Sequence, residues 1–138
     1  MSEPISLQVI TPRRVVERSR VRSLVVPGQN GQMGIWSRHA PAMVALNPGL
    51  LRYRREDGVH LIAVHGGFAE VYRDRVVVLA DAAELPHEID IERAQAARRR
   101  AEERLQGASS EDIDQTRARA ALERALARLR LAERTGDN

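Results

Sequence analysis

The sequence predicts an α+β fold segregated along the chain: an antiparallel β-sandwich or flattened barrel over residues 1–86, then an antiparallel α-helical hairpin over 87–138. Three observations predict it. The composition changes near residue 86, because every glycine except Gly107 and Gly136, all prolines and the aromatics Trp36, Tyr53, Phe68 and Tyr72 lie up to that point, while Ala, Arg, Glu and Leu dominate after it. Before the change, short runs rich in Val, Ile and Leu are separated by turn residues. After it, apolar residues recur at helical spacing.

Ile5, Leu7 and Val9 alternate with polar residues as a half-buried strand requires, and Thr11-Pro12 ends that run. Further strands are expected over 14–18, 21–26, 32–36, 42–46, 50–55, 59–65, 67–72 and 75–80. Pro27-Gly28, Asn30-Gly31, Asn47-Pro48-Gly49, Asp57-Gly58, Gly66-Gly67 and Arg73-Asp74 mark their turns. About eight or nine strands at this spacing leave no room for crossover helices, which excludes a parallel α/β sheet.

Past Pro86, Asp90 caps a helix expected from Ile91 to Gln106, which Gly107 stops. Ser109 or Ser110 caps a second helix from Glu111 to Glu133, whose acidic first turn, Glu111, Asp112 and Asp114, suits the helix dipole. One apolar stripe holds Ala94, Ala97, Ala101 and Leu105; the other holds Ala118, Leu122, Ala125, Leu129 and Ala132, with Ala121 and Leu126 alongside. Alanine buries little area, so at ~25 cal/mol/Å² this seam yields only a few kcal/mol. Backbone ordering costs on the order of 1–2 kcal/mol per residue, and the hairpin is therefore expected to be conditionally stable and movable by a partner or ligand.

A chain of 138 residues bounds the protein to one domain, or to one domain with an appendage. It has no cysteine, which excludes disulfides, a thiolate nucleophile and Cys-type zinc sites and fits a reducing compartment. All 22 basic residues are arginine, so Schiff-base chemistry and a Walker-type lysine are excluded too. The net charge is only +3 despite a pI near 10.4. No leader and no membrane span is legible, so any link to a membrane is expected to run through a partner.

The histidines His39, His60, His65 and His87 form no metal-ligand spacing, and the serines form no nucleophile elbow; no metal site and no catalytic residues are expected. The last helix is distinctive. From Gln115 to Arg134 it holds six arginines against Glu123 and Glu133, and Arg117, Arg124 and Arg128 fall on one side. That side reads either as a solvated face or as a grip on a polyanion, such as an acidic loop or a nucleotide's phosphates.

The order of motifs resembles the ε subunit family of the rotary F-type ATP synthase, bacterial type. The resemblance rests on "LQVITPRRVV" (7–16), "GQMGIWSRHAP" (31–41), "HGGFAEVYRDRVVVLADAAE" (65–84) and "IDIERA" (89–94). It implies a β-sandwich of about ten strands followed by a helical hairpin, in a non-catalytic central-stalk subunit at the cytoplasmic face of the bacterial membrane. The sandwich is then expected to bind the γ subunit and rest on the ring of c subunits, and the hairpin to extend against α and β subunits and inhibit hydrolysis. The turn carrying Gln32, Arg38 and His39 falls at the c-ring contact, with Gln32 and Arg38 standing where related chains often carry an acidic residue and a glycine.

The resemblance further implies β-subunit contacts by Arg117, Arg124 and Arg128. No cofactor is required, but ATP as a regulatory ligand is implied through "IDIERA", which carries Glu84, Ile89, Asp90, Arg93 and Ala94, with Arg124 and Arg128 from the second helix. Asp90 reads equally as an N-cap, and Arg93 as a helix-surface residue. The alternative class is a small basic nucleic-acid-binding or other adaptor protein. Residues 87–138 balance eleven arginines with eleven acids, which argues against nucleic acid.

Overall fold

The computed structural model describes residues 4–107 and 112–135. Eight strands come first: β1 (Ile5–Ile10), β2 (Val15–Val21), β3 (Ser23–Gly28), β4 (Gly31–Ile35), β5 (Ala42–Ala45), β6 (Gly49–Arg55), β7 (Gly58–Tyr72) and β8 (Arg75–Glu84). A 3-10 turn, Pro86–Glu88, leads into α1 (Ile91–Gln106) and α2 (Asp112–Thr135).

The strands form one hydrogen-bonded sheet in the order β2-β1-β8-β7-β6-β3-β4, with β5 pairing β7. The long strand β7 belongs to both layers, its first half pairing with β6 and its second half with β5. Between the halves, Gly66 and Gly67 have φ of 74° and 101°. A Cβ at Gly67 would lie 2.0 Å from the Leu79 carbonyl oxygen, so this close approach requires glycine. Inward-facing residues from opposite layers, among them Leu7, Val9, Leu24, Val26, Leu51, Ile62, Val71 and Val78, form one buried cluster.

Three features depart from the sequence reading. The Gly66-Gly67 pair bends one long strand instead of turning between two, so the described residues hold eight strands, within the eight or nine read from the strand spacing and fewer than the ten implied by the resemblance. Pro27-Gly28 belongs to β3. One pairing, β1 with β8, is parallel. Its crossover is the whole intervening domain, a connection that strand spacing alone does not reveal.

Helix α1 begins and ends where the sequence places it. The Arg93 N–H donates to Asp90 Oδ1 at 3.1 Å, and the Gly107 N–H returns to Glu103. The capping serines expected at 109 and 110 lie outside the described residues. Ala94, Ala101, Ala118 and Ala125 are buried in the helix–helix seam as expected. Ala127 and Leu131, fully buried, lie on the other side of α2. That side meets β6, β7 and the 3-10 turn, so α2 is held between α1 and the sandwich.

Candidate functional site

A cleft of about 430 Å³ opens where the end of β8, the 3-10 turn, α1 and α2 meet. Its walls are Glu84, Glu88, Asp90, Arg93, Ala94, Ala97, Arg100 and Arg128. Local structure places each of them. Glu84 is the last residue of β8, Asp90 is fixed as the α1 cap, and Arg93, Ala97 and Arg100 recur on one face of α1. Arg128 comes from the sandwich-facing part of α2.

Charge pairs organise the cleft. Arg128 Nε donates to Glu84 Oε1 at 2.7 Å, and His65 Nε2 lies 2.7 Å from the same oxygen. Burial pushes the Glu84 carboxyl up, but the hydrogen bonds from His65 and Arg128 outweigh it and hold the group below its ordinary value. Arg14, from the turn after β1, donates to Glu88 Oε1 at 2.7 Å, and that oxygen also accepts the Leu85 N–H at 2.8 Å. The Arg14 bond is the chief cause that lowers the Glu88 carboxyl below its ordinary value. Arg93 and Arg100 make no ion pair among the described residues.

Five of the seven residues that the resemblance assigns to a nucleotide therefore line one cleft: Glu84, Asp90, Arg93, Ala94 and Arg128. Ile89 and Arg124 do not line it. Arg117, Arg124 and Arg128 share one side of α2 but are spread along it. Arg117 sits at the inter-helix end with Arg104, about 16 Å along α2 from Arg128 at 1.5 Å per residue. Sequence reasoning missed Glu88, Arg100 and His65. The i, i+7 relation of Arg93 and Arg100 was a legible signal for one of them, whereas a lone histidine gave none.

Two further surfaces are defined. Gln32 is exposed in β4, and Arg38, exposed after it, has φ of 65°. The Arg38 N–H donates to Asp74 Oδ1 at 2.6 Å, and His39 Nδ1 lies 2.6 Å from the Ala40 carbonyl. On the outer face of the sheet an apolar row crosses five strands in register, Ala45 beside Phe68, Leu79, Ile10 and Val15. Phe68, Leu79 and Val15 are 52%, 51% and 47% exposed, which makes the row a contiguous apolar patch rather than scattered residues.

Among the described residues no group of acidic, histidine or cysteine side chains is arranged to hold a metal, and no helix is long and apolar enough to cross a membrane. The molecule thus falls in the class of β-sandwich chains that carry a docked helical hairpin, with a charged cleft at the joint.

Comparisons narrow that class to one family. The ATP synthase delta/epsilon chain beta-sandwich domain matches residues 4–86, and the long alpha-helix domain of the same chains matches 87–133. The ATP synthase epsilon chain of Syntrophobacter fumaroxidans is 46% identical over 135 residues, covering 98% of this chain and 100% of that one. That of Symbiobacterium thermophilum is 50% identical over 129 residues, covering 93% and 92%. The chain belongs to the epsilon subunit family of the F-type ATP synthase. A chain of the Euglena gracilis mitochondrial ATP synthase shares the fold, with a TM-score of 0.77 at 22% identity over 98% of this chain and 82% of that one.

Proposed function

We propose that this chain is a coupling and regulatory subunit of the central stalk, non-catalytic itself, whose hairpin inhibits ATP hydrolysis when extended and is retained in its folded form by ATP in the cleft at the joint. The observation that carries this reading is the convergence of Arg93, Arg100 and Arg128 with Asp90 and Glu84 on one cleft of about 430 Å³. The donor set fits a nucleoside triphosphate. Guanidiniums form charge-assisted bonds to phosphate oxygens, while carboxylates accept from an amino group and ribose hydroxyls. Among the described residues Arg93 and Arg100 have no ion pair to surrender first, whereas Arg128 does. The site spans both parts of the molecule, so a ligand there favours the docked hairpin by RT ln(1 + [L]/Kd), about 2.7 kcal/mol at a hundredfold excess over Kd.

The apolar row through Phe68 and Leu79 supports docking of the sandwich on the γ subunit, and the turn of Gln32, Arg38 and His39 is assigned to the c ring. Arg117, exposed at the far end of the hairpin, and Arg124 are assigned to acidic groups of the β subunit in the extended form, with α alongside. The place of action is the cytoplasmic face of the bacterial membrane, reached through the complex.

Calorimetric titration of the isolated chain with ATP tests the cleft. Heat is expected with the natural sequence and is expected to vanish in Arg93→Ala with Arg128→Ala. No heat at millimolar ATP, or equal heat in the double variant, defeats the nucleotide reading.

A further inference from the structure

His65 is a histidine at 4% exposure, in the first half of β7 where the strand begins to bend. Its Nε2 lies 2.7 Å from Glu84 Oε1, and its Nδ1 is buried with no hydrogen-bond partner among the described residues. Among the described residues only one ring nitrogen has a polar partner, so Glu84 sets the ring's orientation. Glu84 in turn uses the same oxygen to accept from Arg128 Nε, also at 2.7 Å. Two neighbouring strands, β7 and β8, and the sequence-distant helix α2 therefore meet at one carboxylate oxygen.

A buried imidazole with half its polar capacity unspent is costly to keep unless the bond it does make matters. Glu84 ends β8, where the chain leaves the sheet, and its side chain lines the open cleft. Without a second donor, its carboxylate is free to swing toward the open cleft or the solvent.

We propose that His65 is a positioning residue, which holds the Glu84 carboxylate where it takes the Arg128 guanidinium and so makes a three-residue relay the point at which α2 locks to the sandwich. The alanine seam joins α2 to α1 only. On the sandwich side, the relay supplies orientation that Ala127 and Leu131, non-directional in their packing, cannot supply. The relay needs no ligand, although Glu84 and Arg128 also line the proposed nucleotide cleft.

The test measures docking in the full chain without nucleotide. Because the protein has no cysteine, a cysteine pair introduced at exposed Arg20 and Arg119 carries spin labels without background. One narrow distance distribution is expected with His65 present. In His65→Leu the undocked fraction is expected to rise about tenfold, as the weakening of one charge-assisted hydrogen bond implies. His65→Gln, which restores an N–H donor of similar reach, is expected to return the narrow distribution. An unchanged distribution in His65→Leu, or one as broad in His65→Gln, overturns the relay. Should His65→Leu lose its cooperative unfolding transition, the ring nitrogen resonances of the unmutated His65 decide. A displaced Nε2 signal in Arg128→Gln supports the relay, and an unmoved one overturns it.

Discussion

The backbone N–H of Arg38 and the carboxylate Oδ1 of Asp74 are 2.6 Å apart, which pins two turns 36 residues distant in the chain. Arg38 occupies the left-handed region at φ 65°, and Asp74 does likewise at φ 58°, in the hairpin turn it forms with Arg73 at φ 47°. Both central residues of that turn have positive φ, which matches the twist of the strands it joins. An arginine at φ 65° carries a steric cost of about 1–2 kcal/mol that glycine does not. Arg38→Gly is therefore expected to raise stability by up to ~1 kcal/mol, the gain being reduced by the freedom glycine adds to the unfolded chain. Urea unfolding checks this, and a loss of stability contradicts it.

Gly67→Ala is expected to be among the most damaging single substitutions. Its Cβ would stand 2.0 Å from the Leu79 carbonyl oxygen, a backbone atom that moves only if β7 and β8 part, and its φ of 101° is outside ordinary alanine conformations. A loss of more than ~3 kcal/mol in chemical denaturation is expected, since the pairing that carries Phe68 and Val71 must shift.

These two sites show what the sequence made legible. The α1 helix and its Asp90 cap were readable to the residue, because helical spacing and caps are local signals. The Gly66-Gly67 pair signals positive φ equally well for a turn or a bend, and only the register with β8, which is the same on both sides of Gly66, separates them. The parallel β1–β8 pairing and the meeting of His65, Glu84 and Arg128 are non-local, so no spacing rule exposes them. Ala127 and Leu131 were overlooked because α2 is rich in Ala and Leu on several sides, which blurs a single apolar face.

Acid is expected to undock the hairpin. Glu84 and Glu88 are both held below their ordinary value of 4.5, Glu84 by bonds that outweigh its burial and Glu88 chiefly by Arg14. A carboxyl whose folded value is depressed contributes stability that is complete above its unfolded value and is lost as pH falls through the folded one. The docked population should therefore hold steady from neutrality to about pH 5 and decline below about pH 4.5. Label-to-label distances across that range measure it. Glu84→Gln should flatten the decline in part, leaving the contribution of Glu88.

Removal of residues after Leu85 is expected to leave a cooperatively folding sandwich. Every residue of the buried cluster lies between Ile5 and Ala83, and Leu85 packs against that cluster, so a cut beyond it spares the core. What is lost is the cover over His65 and Glu84 from Arg128. A thermal transition followed by circular dichroism at strand wavelengths checks this, and a chain without a cooperative transition contradicts the independence of the two parts.

The apolar row on the outer sheet face is expected to matter for assembly and not for folding. Phe68 and Leu79 face each other across β7 and β8, each about half exposed at 52% and 51%, and continue into Ile10 and Val15. Residues on this face point away from the buried cluster, so replacing Phe68 and Leu79 by Glu removes little core packing. Two carboxylates facing each other across adjacent strands repel by a few tenths of a kcal/mol in water, a modest cost to stability. Buried against the γ subunit, the same pair would be unpaired charge at an apolar interface, which costs several kcal/mol. Phe68→Glu with Leu79→Glu should consequently keep its thermal transition within a few degrees while losing at least about a hundredfold in affinity for γ. Met43, 69% exposed on β5, serves as the neighbouring control: Met43→Gln keeps the face uncharged and should weaken association less. Undiminished binding of the double variant would assign the γ contact to another face of the sandwich.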